Sequence, residues 1–304
     1  FPYALGKIAA IGMQLSDWRN SSASFARVAQ ALRAGERVVE PLDLLSLTDR
    51  GGDQLTCARI YVRDKYPAVE STPGNRAPFQ HRRIRLAYLS ADFRAHPTSF
   101  LLAATVEGHD QSRFETFGLS FGPPAQGEMA KRMAAAFEHF IDARGLSDEE
   151  TVDLLRRNEV DIAVDLMGYT RFGRPAVFSS RACPVQVGYL GYPGTTGSDC
   201  IDYIIADSFV IPPGSERNYA ERVVRLPDTY QANDRLAGGA ARVPSRTELG
   251  LPEHGTVFCS FNNSAKVAPD MFQAWMQVLG AVESSVLWLW GASPTTQDNL
   301  RREA

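Results

Sequence analysis

The feature that most constrains this chain is a rhythm. From residue 83 onward, short apolar runs alternate with amphipathic stretches. "RIRLAYLS" (83–90) reads as a strand, 97–108 as a helix, "FETFGLS" as a strand, "GEMAKRMAAAFEHF" as a helix, and "FIDA" as a short strand. "SDEETVDLLRRN", opened by Ser147 as a cap with acids in its first turn, reads as a helix, and "VDIAVDLMG" as a strand. "PVQVGYLGY", "DYIIADSFV" and "RVVRLPD" add three more strand candidates. Strands that alternate with helices pair in parallel through crossovers, so the pattern implies an α/β fold on a doubly wound parallel sheet.

The flanks divide the chain. Residues 1–66 read as helical, with Gly35 as a C-cap after "FARVAQALRAG". "PAVESTPGNRAPFQHRR" (67–83) has the proline-rich, basic composition of a linker. After a run of small and turn-forming residues, "TVFCSFNN" and "APDMFQAWMQVLGAV" restart the strand–helix pattern. The expected organisation is a helical segment and linker at 1–80, an α/β domain at 81–240, and the beginning of a second one at 241–304. Ligands of such sheets bind outside the carboxyl ends of the strands.

The 304 residues carry a formal net charge of -3 with both signs interspersed, so a nucleic-acid partner is not expected. The four cysteines lie far apart without CxxC spacing, and no two histidines have metal-ligand spacing, so no metal site is expected. Reduced thiols, together with the lack of a secretory leader, point to the cytoplasm. No apolar run approaches the roughly 20 residues of a membrane span. The chain begins at Phe1 and stops soon after "SSVLWLW", so it reads as a fragment.

Four stretches fall at strand ends: "SADFRAHPTS", "DLMGYT", "LGYPGTTG" and "FNNSAK". In the first, Pro97 biases His96 toward extended backbone, and Thr98 or Ser99 can cap the helix that follows. A helix start beside the ring lowers its pKa. The spacing fits equally a reacting imidazole and one that only fixes the loop. Asp165, at the end of an apolar strand, needs hydrogen bonds from a neighbouring loop, and Tyr169 follows it. "LGYPGTTG" offers backbone amides and hydroxyls in a tight turn, which suits an oxygen-rich ligand or a purely structural turn. Lys266 sits near a helix start, where a point charge could neutralise a diphosphate.

Taken together, "YLSADFRAHPTSFLL", "DIAVDLMGYT", "RACPVQVGYLGYPGTTGSDCIDYIIAD", "YQANDR" and "GLPEHGTVFCSFNNSAKVAPDMFQAWMQVL" closely resemble the O-linked N-acetylglucosaminyltransferase family, in its bacterial SPINDLY-like branch. The resemblance covers about residues 80–304. It implies a GT-B fold of two Rossmann-like domains. It also implies a metal-independent, inverting transfer of N-acetylglucosamine from UDP-GlcNAc, a donor substrate rather than a cofactor, to serine or threonine hydroxyls of protein acceptors.

By position, His96 matches the family's proton acceptor or substrate-orienting histidine, with the UDP phosphate as rival base. Lys266 matches the lysine that holds the diphosphate, and Asn263 an amide at the nucleotide. Pro193, Gly194 and Thr195 match the loop beside the donor sugar, with Thr98, Asp165 and Tyr169 in support. The leading helices, with "QLSDWRN", resemble the segment that joins a tetratricopeptide array to the catalytic part. Ala265 departs from the family's aromatic before the lysine. The family's later histidine-threonine-threonine stretch lies beyond Ala304, so this fragment alone is expected to be inactive.

Two other readings remain: a SPINDLY-type O-fucosyltransferase using GDP-fucose, and a non-catalytic, repeat-linked binding module. A dinucleotide-dependent dehydrogenase lacks its glycine fingerprint after the first strand.

Overall fold

The computed structural model describes residues 1–68, 79–235, 238, 242–291 and 293–304. Most of the linker read at 67–83, and the boundary read at 240, lie outside the described residues. By compactness the chain divides into one unit of Phe1–Asp49 with Gly238–Ala304 and a second of Arg50–Ala237.

The first unit opens with three helices, α1 (Ala4–Gln14), α2 (Ser21–Arg33) and α3 (Pro41–Leu44). Apolar positions at helical spacing turn Ala9, Ala10 and Met13 of α1, and Val28 and Leu32 of α2, inward. Beyond α2, Gly35 adopts a φ of 82°, the left-handed conformation in which a Cβ is penalised, and the chain leaves the helix there.

The second unit starts with α4 (Gly51–Lys65) and continues as β1 (Ile84–Ser90), α5 (Pro97–Glu107), β2 (Phe114–Ser120), α6 (Glu128–Ala136) and β3 (His139–Asp142). It then adds α7 (Asp148–Arg157), β4 (Ile162–Asp165), α8 (Pro175–Ser179), β5 (Val185–Gly188), β6 (Tyr203–Ala206) and β7 (Arg222–Arg225). All seven strands pair in parallel in the order β3-β2-β1-β4-β5-β6-β7. The winding reverses between β1 and β4, which makes their shared border the switch point of the sheet.

Alternation along β1 decides its two faces. Ala87 and Leu89 pack with Val152 and Leu155 of α7 and Val177 and Phe178 of α8. Leu86 and Tyr88 pack with Leu102, Ala103 and Val106 of α5 and Met133 of α6. Each fully buried leucine or methionine in these layers contributes roughly 1.5–3 kcal/mol of transfer free energy. The expected Ser147 cap opens α7 as a capping box with Glu150.

The helix read to residue 140 stops sooner, at Ala136. Phe137 turns extended (φ -92°, ψ 145°). Its ring drops over Gly118, where a Cβ would come within 2.5 Å, and against Phe93 at 5.2 Å between centroids. Burying that ring favours a break in the helix and feeds β3.

The remainder of the first unit is β8 (Val257–Ser260), α9 (Pro269–Ala281), β9 (Val286–Leu289) and α10 (Pro294–Glu303), with β8 and β9 parallel. The leading helices pack on this part: Trp18 meets Phe272 at 5.4 Å between ring centroids, and Asn299 donates to the Leu15 carbonyl at 2.8 Å. Among the described residues, no helix is long and apolar enough to cross a membrane.

Candidate active site

The switch point brings three of the four stretches side by side. Leu89 of β1 is in register with Asp165 of β4, Leu166 N donates to Leu89 O at 3.2 Å, and Tyr189 N donates to Asp165 O at 3.0 Å. Ser90 links two of the loops, since its hydroxyl accepts from Asp92 N at 2.9 Å and lies 3.5 Å from the sulfur of Met167.

His96 is the N-cap of α5. Pro97 at the first helical position holds it extended (φ -144°, ψ 147°), and its own Nδ1 accepts the Thr98 amide at 3.3 Å. The cap read from the sequence as Thr98 or Ser99 is therefore the histidine itself. Thr98 is buried, and the Ser99 hydroxyl donates instead to Asp92 O at 2.6 Å. Asp92 Oδ2 lies 3.4 Å from Nδ1, while Arg94 pairs with Oδ1 at 3.0 Å. Burial, aided by Arg94 and opposed by Asp92, holds the imidazole pKa below its ordinary value, so the ring is neutral at pH 7.

Asp165 is buried, and its Oδ1 accepts from Met167 N at 2.8 Å and Gly168 N at 3.1 Å. Its bonds come from the turn that leaves its own strand, not from a neighbouring loop as expected. That turn is tight enough to put Gly168 at φ 50°, with the Tyr192 ring where a Cβ would be. Burial outweighs the two amide bonds and pushes the carboxyl up to about 6. Tyr169 donates to Thr196 O at 2.6 Å, and its ring sits among Tyr61, Tyr66 and Tyr192. Burial raises its phenol pKa.

The threonine hydroxyls of "LGYPGTTG" are engaged within the protein, in keeping with the structural-turn alternative of the sequence reading. Thr195 Oγ1 donates to Glu221 Oε2 at 2.6 Å and accepts from Gly197 N and Ala220 N, each at 3.1 Å. Thr196 gives Glu221 Oε1 its amide at 2.6 Å and its hydroxyl as well. Glu221 is itself buried, and among the described residues it has no lysine or arginine partner. Gly194 is buried beside the Tyr192 ring, and Pro193 is the exposed tip of the loop.

Asn263 and Lys266 belong to the other unit, on the single 3₁₀ turn Ser264–Lys266 after β8. Asn263 Oδ1 caps that turn by accepting from Ala265 N at 3.0 Å, which leaves its amide nitrogen without a protein partner among the described residues. Ser264 is buried and donates to Gln14 O at 2.6 Å, so the end of α1 anchors the turn. Lys266 is exposed, three residues ahead of α9, whose first turn has no side-chain cap.

Among the described residues, the one cluster of metal-ligating types is Glu115, Glu138 and His139, toward the amino ends of β2 and β3 and away from these loops. Arg83 and Arg85 already pair with its carboxylates. Sequence reading missed Asp92, Glu221 and Gln14. Asp92 had a signal, an acid four residues before the histidine, whereas nothing in "NYAERVV" or "GMQLS" marks the others.

The model of glycosyl transferase family 41 matches residues 52–238 and 236–304. The probable UDP-N-acetylglucosamine–peptide N-acetylglucosaminyltransferase SEC of Arabidopsis thaliana is 33% identical over 213 residues, covering 68% of this chain and 22% of its own length. The protein of the same description named SPINDLY, also from Arabidopsis thaliana, is 31% identical over 211 residues, with 68% and 22% covered. Among solved structures, a mutant O-GlcNAc transferase of Thermobaculum terrenum superposes with a TM-score of 0.79 at 26% identity, covering 98% of this chain and 57% of that one. The chain thus spans about a fifth of the curated relatives' length and shares the GT-B type α/β fold of the solved transferase. It belongs to glycosyl transferase family 41.

Proposed function

We propose that the protein transfers N-acetylglucosamine from UDP-GlcNAc to serine or threonine hydroxyls of proteins, with inversion at the anomeric carbon and without a metal ion. The observation that carries this reading is the position of His96: it follows β1 at the border with β4, where an open parallel sheet reverses and takes its ligands. Membership of family 41 supports the reaction class.

In this reading the hydroxyl oxygen bonds to the anomeric carbon as the bond to the diphosphate breaks, and the diphosphate keeps the electron pair. Lys266 and the uncapped start of α9 stabilise that growing charge, the work a metal does elsewhere. The free amide nitrogen of Asn263 reaches the nucleotide. Pro193 and Gly194 flank the sugar, while Thr195, tied to Glu221, shapes the loop rather than touching the donor. Thr98, Asp165 and Tyr169 hold the loops in place. No disulfide joins any of the four cysteines, which supports a reducing compartment and a cytoplasmic setting.

The test is transfer from radiolabelled UDP-GlcNAc and GDP-fucose to cellular proteins by the full-length protein, beside its His96→Ala and Lys266→Ala variants. Label from UDP-GlcNAc alone, lost in both variants, is expected, and Lys266→Ala should lower turnover more than it weakens acceptor binding. Label from GDP-fucose alone would reassign the donor. No label from either would point to the binding module.

A further inference from the structure

Beside the strands that meet at the switch point, β2 and β3 also end on the carboxyl side of the sheet, at Ser120 and Asp142. The loop that follows β2 is pressed against the one that carries His96. Phe121 N donates to Ser90 O at 3.1 Å, and at Gly122 a Cβ would fall 1.8 Å from Ala91 O. Where the β2 loop, α6 and β3 meet lies a cleft of about 630 Å³. Its apolar lining is Phe93, Pro123, Pro124, Ala130, Ala134 and Phe140.

The chemistry of the cleft narrows what it can hold. Ala130 and Ala134 share one face of α6, and their small side chains leave the space open. Two successive prolines fix the backbone of the loop, so an occupant does not have to order it. The Phe93 and Phe140 rings lie 5.9 Å apart between centroids, and Phe140 is still 37% exposed, an aromatic surface that a ligand would cover. The cations of the lining are matched by carboxylates: Lys131 lies 3.0 Å from Glu128, and Arg144 donates to Asp142 at 2.8 Å. A diphosphate finds no unpaired cation there, which leaves a neutral, apolar group as the occupant.

We propose that this cleft is an acceptor subsite that takes a large apolar side chain two to four residues from the serine or threonine to be modified. The inference rests on the transferase reading above and names a substrate determinant of that reaction. Phe93 precedes His96 by three residues, a stretch that spans at most about 11 Å. An extended acceptor advances about 3.3 Å per residue. With the acceptor hydroxyl at His96, a side chain about three residues along therefore reaches the cleft. An acidic side chain at the same place would lose its water without gaining a partner, so the cleft discriminates against it.

The test uses the full-length protein and pairs of fluorescent peptides that differ in one residue, leucine against aspartate, placed in turn two, three and four positions to either side of the serine. At one of these positions the parent should bind the leucine peptide about tenfold more tightly by anisotropy, and show the same ratio in KM at similar kcat. Ala134→Phe, which fills the cleft, and Phe140→Ser, which removes its open ring, should each erase that preference and leave the aspartate peptide unchanged. Two variants address the same cleft, so a folding defect in one leaves the other decisive. A parent without preference at any position, a preference that survives both variants, or an equal loss for both peptides overturns the proposal. So does a change in sedimentation without a change in preference, which would give the cleft to a second copy of the chain. Anisotropy requires no sugar transfer, so failure of the proposed reaction would appear separately, as a parent that binds with this preference and transfers nothing.

Discussion

Replacing Glu221 should be among the most damaging single changes to this chain. Its carboxylate is 4% exposed and takes three donors, the Thr195 hydroxyl and the Thr196 amide and hydroxyl. In Glu221→Gln the Thr196 pair keeps an acceptor, but an amide NH2 now faces Thr195 Oγ1. That hydroxyl cannot simply turn round, because its lone pairs already serve Gly197 N and Ala220 N. One charge-assisted bond is lost and two donors collide, a cost of about 2–3 kcal/mol. Glu221→Ala strands all three donors in a dry site and should cost about 4 kcal/mol. Urea unfolding of the purified chain gives the numbers, as a lower midpoint with an unchanged slope. A Glu221→Gln midpoint within about 0.5 kcal/mol of the parent would refute the account of the loop.

Two further outcomes follow from the same loops. Gly191→Ala places a Cβ 1.8 Å from the Leu166 carbonyl oxygen, so it should cost about 3 kcal/mol or more, and a loss below about 1 kcal/mol in the same assay contradicts the close approach. Asp165 holds its proton more tightly folded than unfolded, at about 6 against an ordinary 3.8. The stability this gives is fully present below pH 3.8 and is lost as pH rises through about 6, in all about 3 kcal/mol. Asp165→Asn stays neutral throughout, so its stability relative to the parent should improve between pH 4.5 and 7.5; a difference that does not change with pH counts against it.

Much of the second unit was legible because its strands obey local rules. The apolar run of β1 and the Ser147 cap of α7 are each decided by residues close in sequence. The switch point was not legible, since strand order depends on which crossovers pack, though the motif positions fell on it. What failed were the partners. The two readings of "LGYPGTTG", ligand loop or structural turn, were not separable in sequence, because a loop does not announce a carboxylate 25 or 26 residues later. The cap of α5 was misassigned because serine and threonine lead the usual ranking, and here proline at the first position handed the role to histidine.

The bond from Ser264 to the Gln14 carbonyl joins positions 250 apart. Its consequence lies in the order of assembly. Helices α1 to α3 leave the ribosome before Arg50–Ala237, yet their partners in the same unit are Gly238–Ala304. They must wait while Arg50–Ala237, made later, can already close its own sheet. Contacts of such long range slow folding, because the loop between them must be closed before they are rewarded. The turn that carries Lys266 therefore takes shape only after the chain of Arg50–Ala237 has been made, although the residue that anchors it is synthesised before that stretch.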